Sequence, residues 1–425
     1  MESPKDRAIK NTDRKPELLV LDASYTLEML VERGMEHSVL CRDLNGFFGH
    51  VWSVHPFATL LTSDKWTTRF GKCVRHSLAS RHTFIEGKVG RFNVLRDYPK
   101  LNFFIAQILL FISLLLLIWR RPIKIIRVGD PLYLGLFGLA LARLTWTRLV
   151  IRVNGNNDRV RKDTGKPLYP KLFRSIAFEQ RIENFVFPLA DLVVAPNQDN
   201  VNFSITSGAL ADRVTIFRYG NLLALEHFSD PTIRKCDVEL FGSLDIEPRK
   251  YLLLVGRLEP LKFPDDAVRV LAEIRRRGFY IKLVFAGKGD MQAELNTLSS
   301  REGVEEHVIF AGNQNQQALA QLYTFASAVI SPLTGRALSE AALCASPIVA
   351  YDLDWQSDLI TTGETGALLP FRDWQGIADS IEEYLRNPEL AARMGENARA
   401  RALSMLDPNI LNQHEREQYS KLLKY

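Results

Sequence analysis

Tyr251–Lys262 reads YLLLVGRLEPLK, and Ala328–Leu343 reads AVISPLTGRALSEAAL. Each stretch starts as an apolar run of strand length and ends by opening a segment with helical spacing, as expected of a strand-to-helix loop in a parallel sheet. The first loop carries Arg257 and Lys262 five residues apart, a planar fork and a point charge suited to neutralising a diphosphate. In the second, the unpaired backbone N–H groups at the helix start favour an anion. Glu340, about one turn further in, offers a carboxylate that can accept hydrogen bonds from hydroxyl groups.

The same alternation runs outward in both directions. In the second half it predicts strands near Tyr251–Val255, Ile281–Ala286, Val308–Ala311, Ala328–Ser331 and Ile348–Ala350, with helices near Pro264–Arg277, Asp290–Ser300, Gln316–Phe325 and Arg336–Cys344 between them. In the first half strands are expected near Leu18–Asp22, Ser38–Cys41, Val51–Val54, Ile123–Val128, Leu149–Val153 and Leu192–Ala195. The helices there fall near Tyr25–Arg33, Asn102–Trp119, Leu132–Leu144, Pro170–Phe187 and Gln198–Gly208. This pattern predicts an α/β protein of parallel sheets covered by helices on both faces. A chain of 425 residues is too long for one core. The expected division is a polar tail over residues 1–16, a first domain over 17–225, a linker over 226–250, a second domain over 251–400, and a final helix over 401–425 that returns to the first domain.

Composition narrows the class. With 46% hydrophobic and 24% charged residues the chain is globular. Its four cysteines, Cys41, Cys73, Cys236 and Cys344, are scattered and form no C-x-x-C pair, which argues against a disulfide framework or structural zinc and fits a reducing compartment. The polar first sixteen residues lack the apolar core of a secretory signal, so the expected location is cytoplasmic. Charge is divided unevenly: residues 1–240 hold 34 Lys and Arg against 24 Asp and Glu, and the rest hold 20 against 25. The basic excess is densest over residues 65–127.

That basic segment encloses Phe103–Trp119, FFIAQILLFISLLLLIW, apolar except for Gln107 and Ser113. Seventeen helical residues span only about 25 Å, the short limit for crossing a bilayer, and crossing would put strands of one sheet on opposite sides of the membrane. Two readings remain: a crossover helix buried in the core, or a helix whose outer face meets the membrane surface. Coincidence of apolar helix and positive charge favours the second and points to an anionic membrane surface as a partner. It argues against nucleic acid, because no reading module accompanies the basic residues.

Taken in order, VGRLEPLK, FAGKGD, VIFAG, SPLTGRALSEAAL, SPIVAYD and TTGETGALLP resemble the C-terminal domain of the GT-B-fold retaining glycosyltransferases of family 4, the group 1 glycosyltransferases. In the first half VGDPLYLGLFGLALARL, IRVNGNND, ADLVVAPN and VTIFRYGN carry a weaker resemblance. The resemblance implies a GT-B architecture, two Rossmann-like parallel-sheet domains facing a cleft, with the first domain binding acceptor and the second binding donor. It implies a nucleoside diphosphate sugar as donor substrate, no cofactor, no metal, and a lipid-linked or membrane-associated glycan as acceptor, with the enzyme peripheral on the inner face of the membrane. Arg257 and Lys262 would then hold the diphosphate, with Gly256, Thr334, Gly335, Arg336 and Ala337 around it and Glu340 on the ribose or sugar hydroxyls.

Two departures from the family pattern stand out. Pro332 occupies the position eight before Glu340 where the family commonly has a first glutamate, and Asp22-Ala23-Ser24-Tyr25 replaces the glycine-rich turn after the first strand. Asp352-Leu353-Asp354 matches a metal-binding D-x-D pattern of a different fold; here Asp352 is read as a sugar or loop contact with no divalent ion. In the first half, Asn154, Gly155, Asn157 and Asp158 follow a strand and are either sugar contacts or a turn. Asp130 is a similar candidate, and His55 is either an acceptor-site base or a structural histidine. The rival functions are an epimerase on the same scaffold and a non-catalytic nucleotide-sugar-binding protein.

Overall fold

The computed structural model describes residues 15–58, 70–333 and 335–424. They form two units, each built on its own sheet. One takes the chain up to Val31, Glu36–Arg218 and 409 onward; the other takes Glu32–Met35 and Tyr219–Pro408.

The first sheet contains β1 (Glu17–Leu21), β2 (Val51–His55), β3 (Val74–Ala79), β4 (His82–Glu86), β5 (Ile123–Val128), β6 (Arg148–Arg152), β7 (Leu192–Ala195) and β8 (Val214–Ile216). Their order is β3-β4-β2-β1-β5-β6-β7-β8. All neighbours are parallel except β3 and β4, which form an antiparallel edge. The second contains β9 (Tyr251–Val255), β10 (Lys282–Ala286), β11 (Val308–Gly312), β12 (Ala328–Ser331), β13 (Ile348–Tyr351) and β14 (Ala367–Leu369), in the order β11-β10-β9-β12-β13-β14 and wholly parallel. In each sheet the strand order reverses beside the first strand, between β1 and β5 and between β9 and β12. Open α/β sheets bind ligands beyond the carboxyl ends of their strands at such a reversal.

Burial explains why the strands read as unbroken apolar runs. Tyr251, Leu253 and Val255 of β9 enter one core cluster while Leu252 and Leu254 enter the cluster on the opposite face. A strand covered on both faces needs apolar residues at every position.

Several expectations change. Ser38–Cys41 is no strand: His37–Leu40 is a short helix, since a four-residue apolar run has too little length to distinguish the two periods. The strands β3, β4, β8 and β14 went unforeseen; β3 is an exposed edge strand and the last two have three residues each. The helix expected from Pro170 starts at Ile176, after Ser175 in extended conformation. Residues 226–250 form no free linker, because Phe241 and Ile246 belong to the core of the second unit. The terminal segment divides: helix Pro388–Leu406 stays with the second unit, while helix Pro408–Lys424 belongs to the first. There Tyr419 is fully buried against Phe48 and Phe217, and its hydroxyl accepts a hydrogen bond from Arg127 at 3.2 Å.

Candidate active site

At the reversal of the second sheet, the chain leaves β9 through Gly256. That loop is held down from below: a Cβ on Gly287 would stand 1.9 Å from the carbonyl oxygen of Gly256, and one on Gly289 would stand 2.2 Å from that of Leu258. Gly287 also has φ +155°, so glycine is required there for both space and backbone. The loop carries Arg257, which is 63% exposed and pairs with Glu259 at 2.6 Å. Lys262 closes a short 3-10 turn, Pro260–Lys262, and is half-buried. Burial lowers the pKa of its ammonium, the Arg257 charge lowers it further, and Glu259 and Asp354 act in the opposite sense. Arg257 and Lys262 therefore share one electrostatic neighbourhood.

The adjacent strand β12 delivers the second loop. Gly335, at φ +66°, caps the helix Arg336–Leu343, and Ala337 packs against the core beneath. Thr334 lies outside the described residues. Glu340 faces inward: it is buried, and its Oε2 accepts a hydrogen bond from Tyr323 at 3.1 Å. Its neighbour His227 is fully buried, with Nδ1 at 3.6 Å from the Cys344 sulfur and Nε2 at 2.9 Å from Gln316 Oε1. Desolvation pulls the pKa of His227 down, but Cys344 and Glu340 outweigh it and raise it to about 9. Asp352 is exposed, whereas Asp354 is the aspartate that acts on Lys262.

At the reversal of the first sheet, the chain opens a cavity of about 230 Å³. Its lining includes Asp22 after β1, Asp130 after β5, Asn154, Gly155 and Asn157 after β6, and Tyr169. Asp130 Oδ1 accepts hydrogen bonds from the Leu132 and Leu134 amides at 2.8 and 3.3 Å, and Oδ2 accepts one from the Tyr169 hydroxyl at 3.1 Å. Burial nevertheless pushes its pKa up to about 6, and the charge of Asp22 adds to the rise. Asp22 goes the other way. Burial would raise it, but the Arg42 guanidinium at 2.7 Å and the Ser24 amide hold it down at about 2.

Tyr169 and its supports are what the sequence reading missed. Glu179 accepts from the backbone amides of Leu168 and Tyr169 at 3.0 and 2.9 Å, which fixes the loop that presents the phenol. Arg161 bridges Glu179 and Glu183 inside the domain, and Glu183 in turn accepts from Asn157 at 2.6 Å. Asp158 is not in the lining; it sits half-exposed on the first helical turn and pairs with Arg161. His55 also lies outside the lining. It is fully buried at the end of β2 with both ring nitrogens unpaired, and burial pulls its pKa down to about 4. It is a neutral packing residue in this structure, set edge-on to Phe57.

Residues 239–401, which contain the cationic loop and the Gly335 turn, match the family of glycosyl transferases group 1. This stretch is a group 1 glycosyl transferase domain. Curated proteins are similar over part of the chain. α-D-Kanosaminyltransferase of Streptomyces kanamyceticus is 29% identical over 192 residues, which cover 44% of this chain and 49% of the relative. The GDP-mannose-dependent α-(1-6)-phosphatidylinositol monomannoside mannosyltransferase of Mycolicibacterium smegmatis is 28% identical over 206 residues, covering 44% and 53%. The chain thus spans about half the length of these relatives. Solved structures match over nearly the whole chain. HepE of Anabaena in complex with UDP and glucose has a TM-score of 0.69 at 18% identity, covering 96% of this chain and all of its own. Sucrose-phosphate synthase of Thermosynechococcus elongatus has a TM-score of 0.72 at 15% identity, covering 96% and 99%. These matches show the fold, and the expected GT-B class holds.

Proposed function

We propose that this protein transfers a sugar from a nucleoside diphosphate sugar to a lipid-linked or membrane-associated glycan acceptor, with retention at the anomeric carbon. The observation that carries the reading is that Arg257 and Lys262 stand on the one loop that leaves β9 at the strand-order reversal of the transferase domain. As the glycosidic bond breaks, negative charge grows on the leaving diphosphate. Two cations held beside the strand ends stabilise that charge more than they stabilise the bound donor, which is how they accelerate the step. The donor needs a pocket that stays cationic, and the half-buried ammonium of Lys262 has a pKa already shifted down. Transfer is therefore expected to fall as pH rises through that lowered pKa.

In the first unit, the acid-lined cavity suits a neutral, hydroxyl-rich acceptor. Asp130 and the Tyr169 hydroxyl oxygen, whose proton is given to Asp130, supply hydrogen-bond acceptors, and Asn154 and Asn157 add amides. The complexes and names of the similar proteins, UDP with glucose in HepE and a GDP-mannose-dependent mannosyltransferase, support a nucleotide-sugar donor here. The test is Lys262→Ala assayed with a panel of nucleotide sugars. Turnover is expected to drop by about 10²–10³ with an unchanged unfolding transition, the scale of losing one charge-stabilising donor. Near-normal transfer by the variant overturns the assignment. Donor binding with no transfer by the wild type across a broad acceptor panel would favour a non-catalytic binder.

A further inference from the structure

We propose that the outer face of the helix Pro99–Arg120 is a docking surface for an anionic lipid bilayer, on which the helix lies flat. The inference deepens the reading of a membrane-bound acceptor by naming the face and the lipid charge, although its geometry stands on the first unit alone.

The helix has 22 residues and two opposed apolar stripes. The inner stripe, which includes Leu110, Leu114, Leu117 and Ile118, is buried in the core against β5 and its neighbours. Two polar side chains bolt that face down. Asn102 accepts from the Arg91 and Phe92 amides at 2.6 and 2.9 Å and donates to the Phe92 carbonyl. Gln107 donates to the Pro56 and Lys88 carbonyls and accepts from the Tyr133 hydroxyl at 2.8 Å. A helix held in this way, and leading into β5 at Ile123, cannot leave the sheet to span a membrane.

Among the described residues the outer stripe has no such cover. Leu101, Phe104, Ile108, Ile112, Leu116 and Trp119 follow one another at intervals of three or four, and all are between 39% and 63% exposed. Uncovered apolar residues in one continuous row on a folded unit mark an interaction surface. Charge selects the occupant. From Lys88 to Val128 the chain carries eight Lys and Arg and a single acid, Asp97. Lys100 stands exposed at the start of the helix, and Arg120 and Lys124 stand exposed at its end, while Arg121 beside them is paired with Glu17 at 2.6 Å. An apolar stripe bracketed by cations matches acyl chains beneath anionic headgroups. Two copies laid face to face would bring these cations together, so a second chain is the poorer fit. Aromatic residues stand where the interface would be: Tyr98 at one end and Trp119 at the other, with Trp146 left exposed at the end of the helix Tyr133–Thr145, which packs against this one.

Orientation follows from topology. The helix runs into β5 from the opposite direction to the strand, so its Pro99 end lies at the carboxyl ends of the parallel strands. The Asp130 cavity opens at those same ends. A bilayer along the outer stripe therefore passes the end of the unit at which an acceptor would enter.

The test is co-sedimentation of the full chain with vesicles of phosphatidylcholine alone or with about 30 mol % phosphatidylglycerol. Binding is expected to be at least about tenfold stronger with the anionic lipid and to weaken in high salt. A Phe104→Ser, Ile108→Ser, Ile112→Ser variant should lose at least about tenfold of that binding while unfolding like the parent. Lys100→Glu with Lys124→Glu should lose the lipid-charge preference and keep the weak binding to neutral vesicles. Absence of vesicle binding by the folded parent overturns the proposal. So does a dimer in sedimentation that the Phe104 variant abolishes, which would assign the face to a second copy. Donor turnover measured without vesicles separates the two readings, since it tests transfer and is indifferent to docking.

Discussion

The two sheets reverse strand order in the same way, yet the loops at the two reversals differ in charge and in depth. Beyond β1 and β5 the chain builds an open cavity whose ionisable lining includes two carboxylates, Asp22 and Asp130. Beyond β9 it builds a short loop with a half-buried Lys262 and with Arg257, which stays largely in solvent. Topology thus sets where a ligand can sit, and the side chains at the strand ends decide which ligand. An acidic cavity rejects phosphates and suits hydroxyl groups, whereas a cationic loop does the reverse.

The comparison is broken or sharpened most strongly at Arg42. Arg42→Leu leaves the Asp22 carboxylate without its cation inside the first unit, and a loss of about 3 kcal/mol at neutral pH is expected. Denaturant unfolding measures it. Because Asp22 is held low, its contribution in the parent is present above about pH 4 and fades as pH falls toward 2. The deficit of the variant should therefore shrink in acid, and a deficit that is flat with pH would separate Asp22 from Arg42.

Asp130 has the opposite sign. Its folded pKa, near 6, lies above its unfolded value, so folding favours the protonated carboxyl; stability falls as pH rises from about 4 to 6 and is level above. Asp130→Asn removes that penalty. It should match the parent below about pH 4 and exceed it at pH 8 by at most about 3 kcal/mol, as read by thermal unfolding at the two pH values. Equal stability at pH 8 would mean that the carboxylate is comfortably ionised and the cavity less acidic in effect than its lining suggests. The smallest effect belongs to the exposed loop. Glu259→Gln breaks the pair with Arg257 and should change stability by less than about 0.5 kcal/mol, because water already screens that pair. A change of several kcal/mol would show that the cationic loop is as tightly built as the cavity.

Much of the second unit was legible in its residues. Its strands β9–β13 fall within about a residue of the expected spans, because each is an apolar run bounded by a helix start, doubly buried in all but the edge strand β11. Arg257, Lys262 and Gly335 lie on the two loops the sequence singled out, since those loops are local in the chain. Glu340 was legible as a residue close to the helix start, but its bond to Tyr323, seventeen residues away, was not. The first unit was read less well. Asp130, Asn154, Gly155 and Asn157 do meet in one cavity, whereas His55 and Asp158, chosen on the same local grounds, stand outside its lining.

The sequence by itself determined the class of fold, the places of the two loops that follow β9 and β12, and the helix in which apolar content and positive charge coincide. These follow from periodicity and spacing, which act between near neighbours. Tertiary structure alone decided that Tyr169 reaches Asp130 across 39 residues, that helix Pro408–Lys424 seals the first sheet, and which stripe of Pro99–Arg120 remains bare. The physical reason is that burial and pairing between distant segments depend on how sheets stack and reverse. An apolar residue in the chain is the same whether a neighbour covers it or not.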